Sequence, residues 1–180
     1  MMEKTNSRIR FALIATFVVL TAITTVVIRI PIPATTGYFN LGDIFIIAAG
    51  LIFGPMAGLV AGAVGAGAAD LYGYPQFVLA TVVTKGLEGF LVGAIARGDS
   101  LGHSRAWIAA LVGATVLVLG YFVFEAIVYP ALGQTMSFFA VTNFQDALVE
   151  LIPNAVQGLI GAVGGVGLWR AFAGLRSVTK

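Results

Sequence analysis

The sequence predicts an all-α membrane protein with six transmembrane helices and both termini in the cytoplasm. Three observations predict it. Apolar residues make up 59% of the 180 residues and charged ones 10%, with a mean hydropathy of +0.99; a soluble domain carries roughly 25% charged residues. Eight of the ten Lys and Arg fall in three places: Lys4, Arg8 and Arg10; Arg97 and Arg105; and Arg170, Arg176 and Lys180. Six of the eight acids lie elsewhere, at Asp43, Asp70, Glu88, Glu125, Asp146 and Glu150, with long apolar stretches between the groups. Cytoplasmic loops collect Lys and Arg, so placing the basic groups inside gathers the acids toward the outer surface.

The first span follows a basic N-terminus and covers residues 11–28. It is longer than the ~7–15-residue core of a signal peptide. No small-residue cleavage site follows it, which makes it an uncleaved span. Residues 44–69 then run without a charge, but Gly54-Pro55 interrupts them. Proline inside a helix costs ~3 kcal/mol, and Gly-Pro marks a turn. One helix here gives five spans and puts the basic 97–105 loop and the tail on the side opposite the basic N-terminus. Two helices give six spans and put all three basic groups on one side, as the positive-inside rule requires. The first of the two, 44–53, extends only ~15 Å at ~1.5 Å per residue. That is short of the ~30 Å hydrocarbon core, so it needs residues 41–43 or local thinning. Later spans are 77–96, with Lys85 and Glu88 inside it, 106–124 extended to 129 past Glu125, and 151–169.

The predicted helices are therefore about 9–30, 42–53, 56–72, 77–96, 106–129 and 147–170, with outer loops 31–41, 73–76 and 130–146. Residues 1–180 read as a single membrane domain without repeats. There are 23 Gly, mostly inside helices. Gly54, Gly58, Gly62 and Ala66 line one stripe of the third helix; Gly89 and Gly93 do so in the fourth, and Gly161 and Gly165 in the sixth. Small residues let membrane helices approach closely, either within the monomer or against a partner. Ala12 and Thr16 on the first helix have the same spacing.

Ionisable groups inside a membrane face a cavity or each other. Lys85 and Glu88 are one turn apart with Thr81 and Thr84 nearby, either as a self-neutralising pair or as a grip on a ligand. Glu150, Asn154 and Gln157 share one helical face; Asn154 and Gln157 there either line a pocket or hydrogen-bond between helices, and Glu150 at the helix start is also placed for water. Tyr121, Glu125 and Tyr129 share another; Tyr129 alone fits an interfacial belt. Asp70, Tyr72 and Tyr74 end the third helix, where Asp70 serves as a site residue or an end cap. Loop 31–41, with Phe39 and Asn40, is placed to lid the pocket. Lys85, Glu88, Asn154, Gln157, Tyr121, Glu125, Asp70, Tyr74, Phe39 and Asn40 together can surround one small polar aromatic molecule in a mostly apolar pocket.

Other chemistries lack their residues. With no Cys there is no disulfide, thiolate nucleophile or Cys metal site. The single His103 lies in a polar loop and reads as a surface residue. No metal site and no cofactor are expected. No hydrolase, zinc-protease or phosphate-loop motif occurs, so the chain reads as a non-enzyme. The pI near 9.2 reflects cytoplasmic Lys and Arg rather than nucleic-acid binding.

Several runs carry a family likeness: Gly42-Asp43-Ile44, Gly50-Leu51-Ile52-Phe53-Gly54-Pro55, Ala69-Asp70-Leu71, Thr84-Lys85-Gly86-Leu87-Glu88-Gly89 and Pro153-Asn154-Ala155-Val156-Gln157-Gly158. Together they resemble the substrate-binding S components of energy-coupling factor (ECF) vitamin transporters, nearest the hydroxymethylpyrimidine, pyridoxine and riboflavin-like branch. The resemblance implies a six-helix subunit in a prokaryotic cell membrane that captures a vitamin from outside, with pyridoxine or hydroxymethylpyrimidine the best match. It also implies docking on a membrane scaffold subunit driven by two ATPase subunits, with the whole S component toppling in the bilayer. Docking in the family uses an Ala-x-x-x-Ala pattern on the first helix. Here Ala12 is followed by Thr16 at the second position. The competing functions are a self-sufficient carrier coupled to protons or ions through Glu88 or Asp70, and an intramembrane enzyme using those carboxylates.

Overall fold

The structure is a computed structural model that describes residues 7–97 and 102–178, with side chains described as far as residue 173. Lys4, Lys180 and the side chain of Arg176 lie outside the described residues. Among the described residues six helices form a bundle: α1 (Ser7–Val27), α2 (Asp43–Phe53), α3 (Pro55–Gly73), α4 (Val78–Ala96), α5 (His103–Gly133) and α6 (Phe144–Val178). All but α2 are long and apolar enough to cross a membrane.

The break at Gly54-Pro55 is real. Gly54 closes α2 with φ at 96°, a backbone region that favours glycine, and Pro55 opens α3 at its first position, where the missing N–H costs nothing. The eleven residues of α2 extend only ~16 Å. This short helix is the centre of the bundle, with Ile46, Ile47, Ala48 and Ala49 fully buried. Being wrapped by α1, α4 and α6, it is apolar all round.

The glycine stripes pack inside the monomer. A Cβ on Gly58 would lie on the backbone of Gly89, and one on Gly62 on the backbone of Lys85. Gly165 likewise faces Ile47. Backbone-to-backbone approach of α3 and α4 requires hydrogen at these positions. Large apolar residues such as Val19, Ile127 and Ile152 point outward instead, where a bilayer would solvate them.

Helix ends depart from expectation for local reasons. α1 stops at Val27 because the chain enters a small hairpin of β1 (Ile30–Pro31) and β2 (Tyr38–Phe39), paired Ile30 to Phe39 and Pro31 to Tyr38. α6 begins three residues early because Asn143 caps it: Asn143 Oδ1 accepts from the Gln145 and Asp146 N–H groups at 2.8 and 3.1 Å. Asp146 Oδ2 accepts the Asn143 N–H in return at 3.2 Å, completing a capping box. α5 runs on to Gly133 through a π-helical turn, Phe124–Val128. There the Tyr129 N–H reaches Phe124 O. Pro130 has no N–H to offer Glu125 O, and the Thr142 hydroxyl donates to it instead at 3.0 Å. A second π-helical turn, Ala61–Ala66, lies in α3.

Among the described residues, Arg10, Arg97 and Arg105 collect at one end. Arg10 Nη2 donates to Phe53 O at 2.9 Å, beside the α2–α3 turn. Arg105 Nη2 donates to Arg97 O at 2.9 Å, and His103 sits edge-on to Trp169. The hairpin, the α3–α4 turn and the start of α6 lie at the other end.

Candidate functional site

A cavity opens at the end opposite the basic groups. Gly37, Tyr38 and Asn40 of the loop line it, together with Asp70 of α3, Phe77 and Thr81 at the start of α4, Tyr121 and Glu125 of α5, and Glu150, Asn154 and Gln157 of α6. Its free core is only about 20 Å³, room for about one water molecule. The loop is packed down on it.

Three polar networks build the walls. In the first, Lys85 pairs with Asp43 Oδ1 and Gln157 Nε2 donates to Asp43 Oδ2 at 2.8 Å. Gln157 Oε1 in turn accepts the Asn40 backbone N–H at 2.8 Å. Asn40 Oδ1 accepts the Gly42 N–H at 2.9 Å and the Thr25 hydroxyl at 3.4 Å. Every member is buried, so each needs its partner.

The second network holds the hairpin. The Tyr38 hydroxyl donates to Asp70 Oδ1, and the Thr81 hydroxyl donates to Asp70 Oδ2. With its own proton so committed, Thr81 Oγ1 accepts from the Tyr121 hydroxyl at 2.9 Å. Arg29 Nη2 donates to Ala69 O at 2.7 Å, and its guanidinium lies 5.0 Å from the ring centres of both Tyr38 and Tyr74. Burial, then the Asp70 carboxylate, pushes the Tyr38 phenol far above its ordinary range, so it remains a proton donor.

The third wall is acidic. Glu125 and Glu150 are 1% and 3% exposed and close enough to act on each other. Glu125 Oε2 and Glu150 Oε1 have no donor among the described residues. The π-helical turn of α5 carries Glu125, and such turns recur at functional sites.

Residues 5–173 match the family described as ECF-type riboflavin transporter, S component. The chain belongs to that family. It is also 38% identical over 145 residues to an "Uncharacterized protein in gap 3'region" from Pyrococcus woesei, a match covering 81% of this chain and 90% of the relative. The protein is thus a multi-pass transporter S component, a class whose members bind a vitamin within an ECF transporter.

In this S component, Asn40, Asp70, Tyr121, Glu125, Asn154 and Gln157 come together around the cavity. Lys85 and Glu88 do not line it. Lys85 is spent on Asp43 rather than Glu88, and Glu88 is fully buried beside that pair with no donor to either oxygen among the described residues. Phe39 turns away because neighbours on a strand point to opposite sides, leaving Tyr38 and Asn40 to face inward. Tyr74 packs 4.5 Å from Tyr38, outside the lining. Tyr129 is not an interfacial belt residue. It is fully buried, accepts the Ala80 N–H at 3.1 Å and stacks on Phe139. Glu150 is not in water at its helix start. Asp70 is an acceptor for two hydroxyls rather than a cap. Ala12 and Thr16 lie on the exposed face of α1.

Gly37, Tyr38, Phe77, Thr81 and Glu150 line the cavity but were not among the ten expected site residues, nor was Asp43. Asp43 carried a signal, being an acid next to a helix too short to span. Tyr38 carried one in the strand alternation.

Proposed function

We propose that this S component captures a small heteroaromatic vitamin or precursor at its outer end, within an ECF importer of a prokaryotic plasma membrane. The observation that carries the reading is the cavity lined by Asn40, Asp70, Tyr121, Glu125, Asn154 and Gln157 under a two-stranded loop. Phe77 and Tyr121 offer ring faces, and the amides and carboxylates offer acceptors. A single-ring ligand such as pyridoxine or hydroxymethylpyrimidine requires less loop displacement than the three-ring system of riboflavin, the vitamin in the family's name. Lys85 and Glu88 support the site from beneath, through Asp43. Of the ten expected residues, six line the cavity, Lys85 and Glu88 lie outside it beside Asp43, and Phe39 and Tyr74 flank it outside the lining.

In this reading residues 1–180 act as one domain, the basic end faces the cytoplasm, and a scaffold subunit with two ATPase subunits supplies the energy. The exposed Ala12–Thr16 face of α1 is the docking stripe, and ATP hydrolysis belongs to the partners. Ala34 and Gly102 are exposed at opposite ends. In intact cells a maleimide should label Ala34→Cys, and Gly102→Cys only after permeabilisation; the reverse pattern overturns the orientation.

Mass spectrometry of small molecules released from the purified chain tests the ligand, and uptake into proteoliposomes tests the coupling. A bound heteroaromatic vitamin, with concentrative uptake only when ATPase and scaffold subunits are present, is the expected result. Gradient-driven uptake by the chain alone establishes the carrier alternative instead.

A further inference from the structure

Among the described residues, the cavity is lined by Asp70, Glu125 and Glu150 and by no Lys, Arg or His. Asp70 is already satisfied by the Tyr38 and Thr81 hydroxyls. Arg29 is engaged with Ala69 O and two tyrosine rings, and Lys85 with Asp43. That leaves Glu125 and Glu150. They lie on different helices and are both more than nine-tenths buried; the Thr35 side chain and the Gly37 backbone act on Glu150, yet Glu125 Oε2 and Glu150 Oε1 find no donor among the described residues. Asp146 adds a further negative charge acting on both. Asn154, one turn along α6 from Glu150, also lines the cavity and is 6% exposed.

Buried acceptors without donors are costly. The two carboxyls can relieve the cost by sharing a proton, or a ligand can relieve it. We propose that Glu125 and Glu150 form a subsite for a nitrogen that carries positive charge or donates N–H bonds, an amine or an amino-substituted ring edge, with Asn154 as the adjoining polar contact. A metal ion is the poorer occupant: among the described residues no three His, Cys, Asp or Glu side chains are grouped to hold one. A phosphorylated or carboxylated molecule is the poorer fit, because an anion would meet three carboxylates and, among the described residues, no lining Lys, Arg or His. Gly37 fits the arrangement, since its missing side chain lets the loop lie directly on the Glu150 carboxylate and close the subsite from outside.

This inference rests on the vitamin-binding reading and deepens it. Calorimetry on the detergent-solubilised chain tests it with two matched pairs, pyridoxamine against pyridoxine and 4-amino-5-hydroxymethyl-2-methylpyrimidine against its 4-oxo analogue, plus riboflavin. The amino member of a pair should bind more tightly. Glu125→Gln and Glu150→Gln should each weaken it by about 10- to 150-fold and bring the pair toward parity. Parity in the unaltered protein, or an amino preference that survives both variants, overturns the subsite. Binding of riboflavin or pyridoxine without that preference overturns the subsite alone and leaves the vitamin reading standing. A chain that keeps its helical circular dichroism and binds none of the five overturns both.

Discussion

The backbone N–H of Asn40 donates to Gln157 Oε1 at 2.8 Å, tying the loop after α1 to the last helix across 117 residues of sequence. The same Gln157 amide donates to Asp43 at the start of α2. One side chain thus joins the lid of the cavity to its floor. Replacing Gln157 with Leu removes both bonds and leaves a buried N–H and a carboxylate oxygen short of a partner. Each unmet buried group costs about 1–3 kcal/mol. Vitamin affinity should fall about 5- to 150-fold by calorimetry, and amide exchange of residues 37–42 should quicken. Unchanged exchange there would show that Gln157 does not hold the loop.

Lys85 and Asp43 form an ion pair with both side chains about 1% exposed. Breaking one half of a buried pair typically costs about 3–5 kcal/mol, because it strands the other charge. Lys85→Met should therefore lower the unfolding midpoint in detergent sharply. The double variant Lys85→Met with Asp43→Asn, which leaves neither half of the pair charged, should recover a large part of the loss. A double variant as unstable as the single one would mean that the pair is not what Lys85 contributes.

Gly58 and Gly89 meet backbone to backbone. Overpacking typically costs about 1–3 kcal/mol where side chains can adjust, and here neither surface has a side chain to move. Gly58→Leu should depress thermal stability more than Gly167→Leu, whose Cβ would meet open space. Equal effects would argue against the close α3–α4 crossing.

On α1, Ala12 and Thr16 are exposed, and the Thr16 hydroxyl is satisfied by Ala12 O at 2.9 Å. This leaves a smooth surface with no unmet polar group. Ala12→Trp should abolish ATP-dependent uptake by the assembled transporter while leaving vitamin binding by the isolated chain within about 2-fold. Normal uptake by this variant would move the docking surface elsewhere.

The number of helices, the Gly54-Pro55 break and the separation of basic from acidic ends were legible in the sequence. Each rests on a property counted along the chain: apolar length against bilayer thickness, the missing proline N–H, and the sidedness of Lys and Arg. The shared face of Glu150, Asn154 and Gln157 was legible too, because helical phase alone sets it. The partners of the charges were not. Lys85 had Glu88 one turn away in sequence, yet it pairs with Asp43, brought beside it by packing α2 against α4. Glu125, in the π-helical turn of α5, and Glu150, in α6, are neighbours only in the folded bundle. Pairing energies depend on distance in three dimensions and on the water removed when helices close. Sequence spacing reports neither across helices, so the tertiary structure decided which acids were satisfied and which were left facing the cavity.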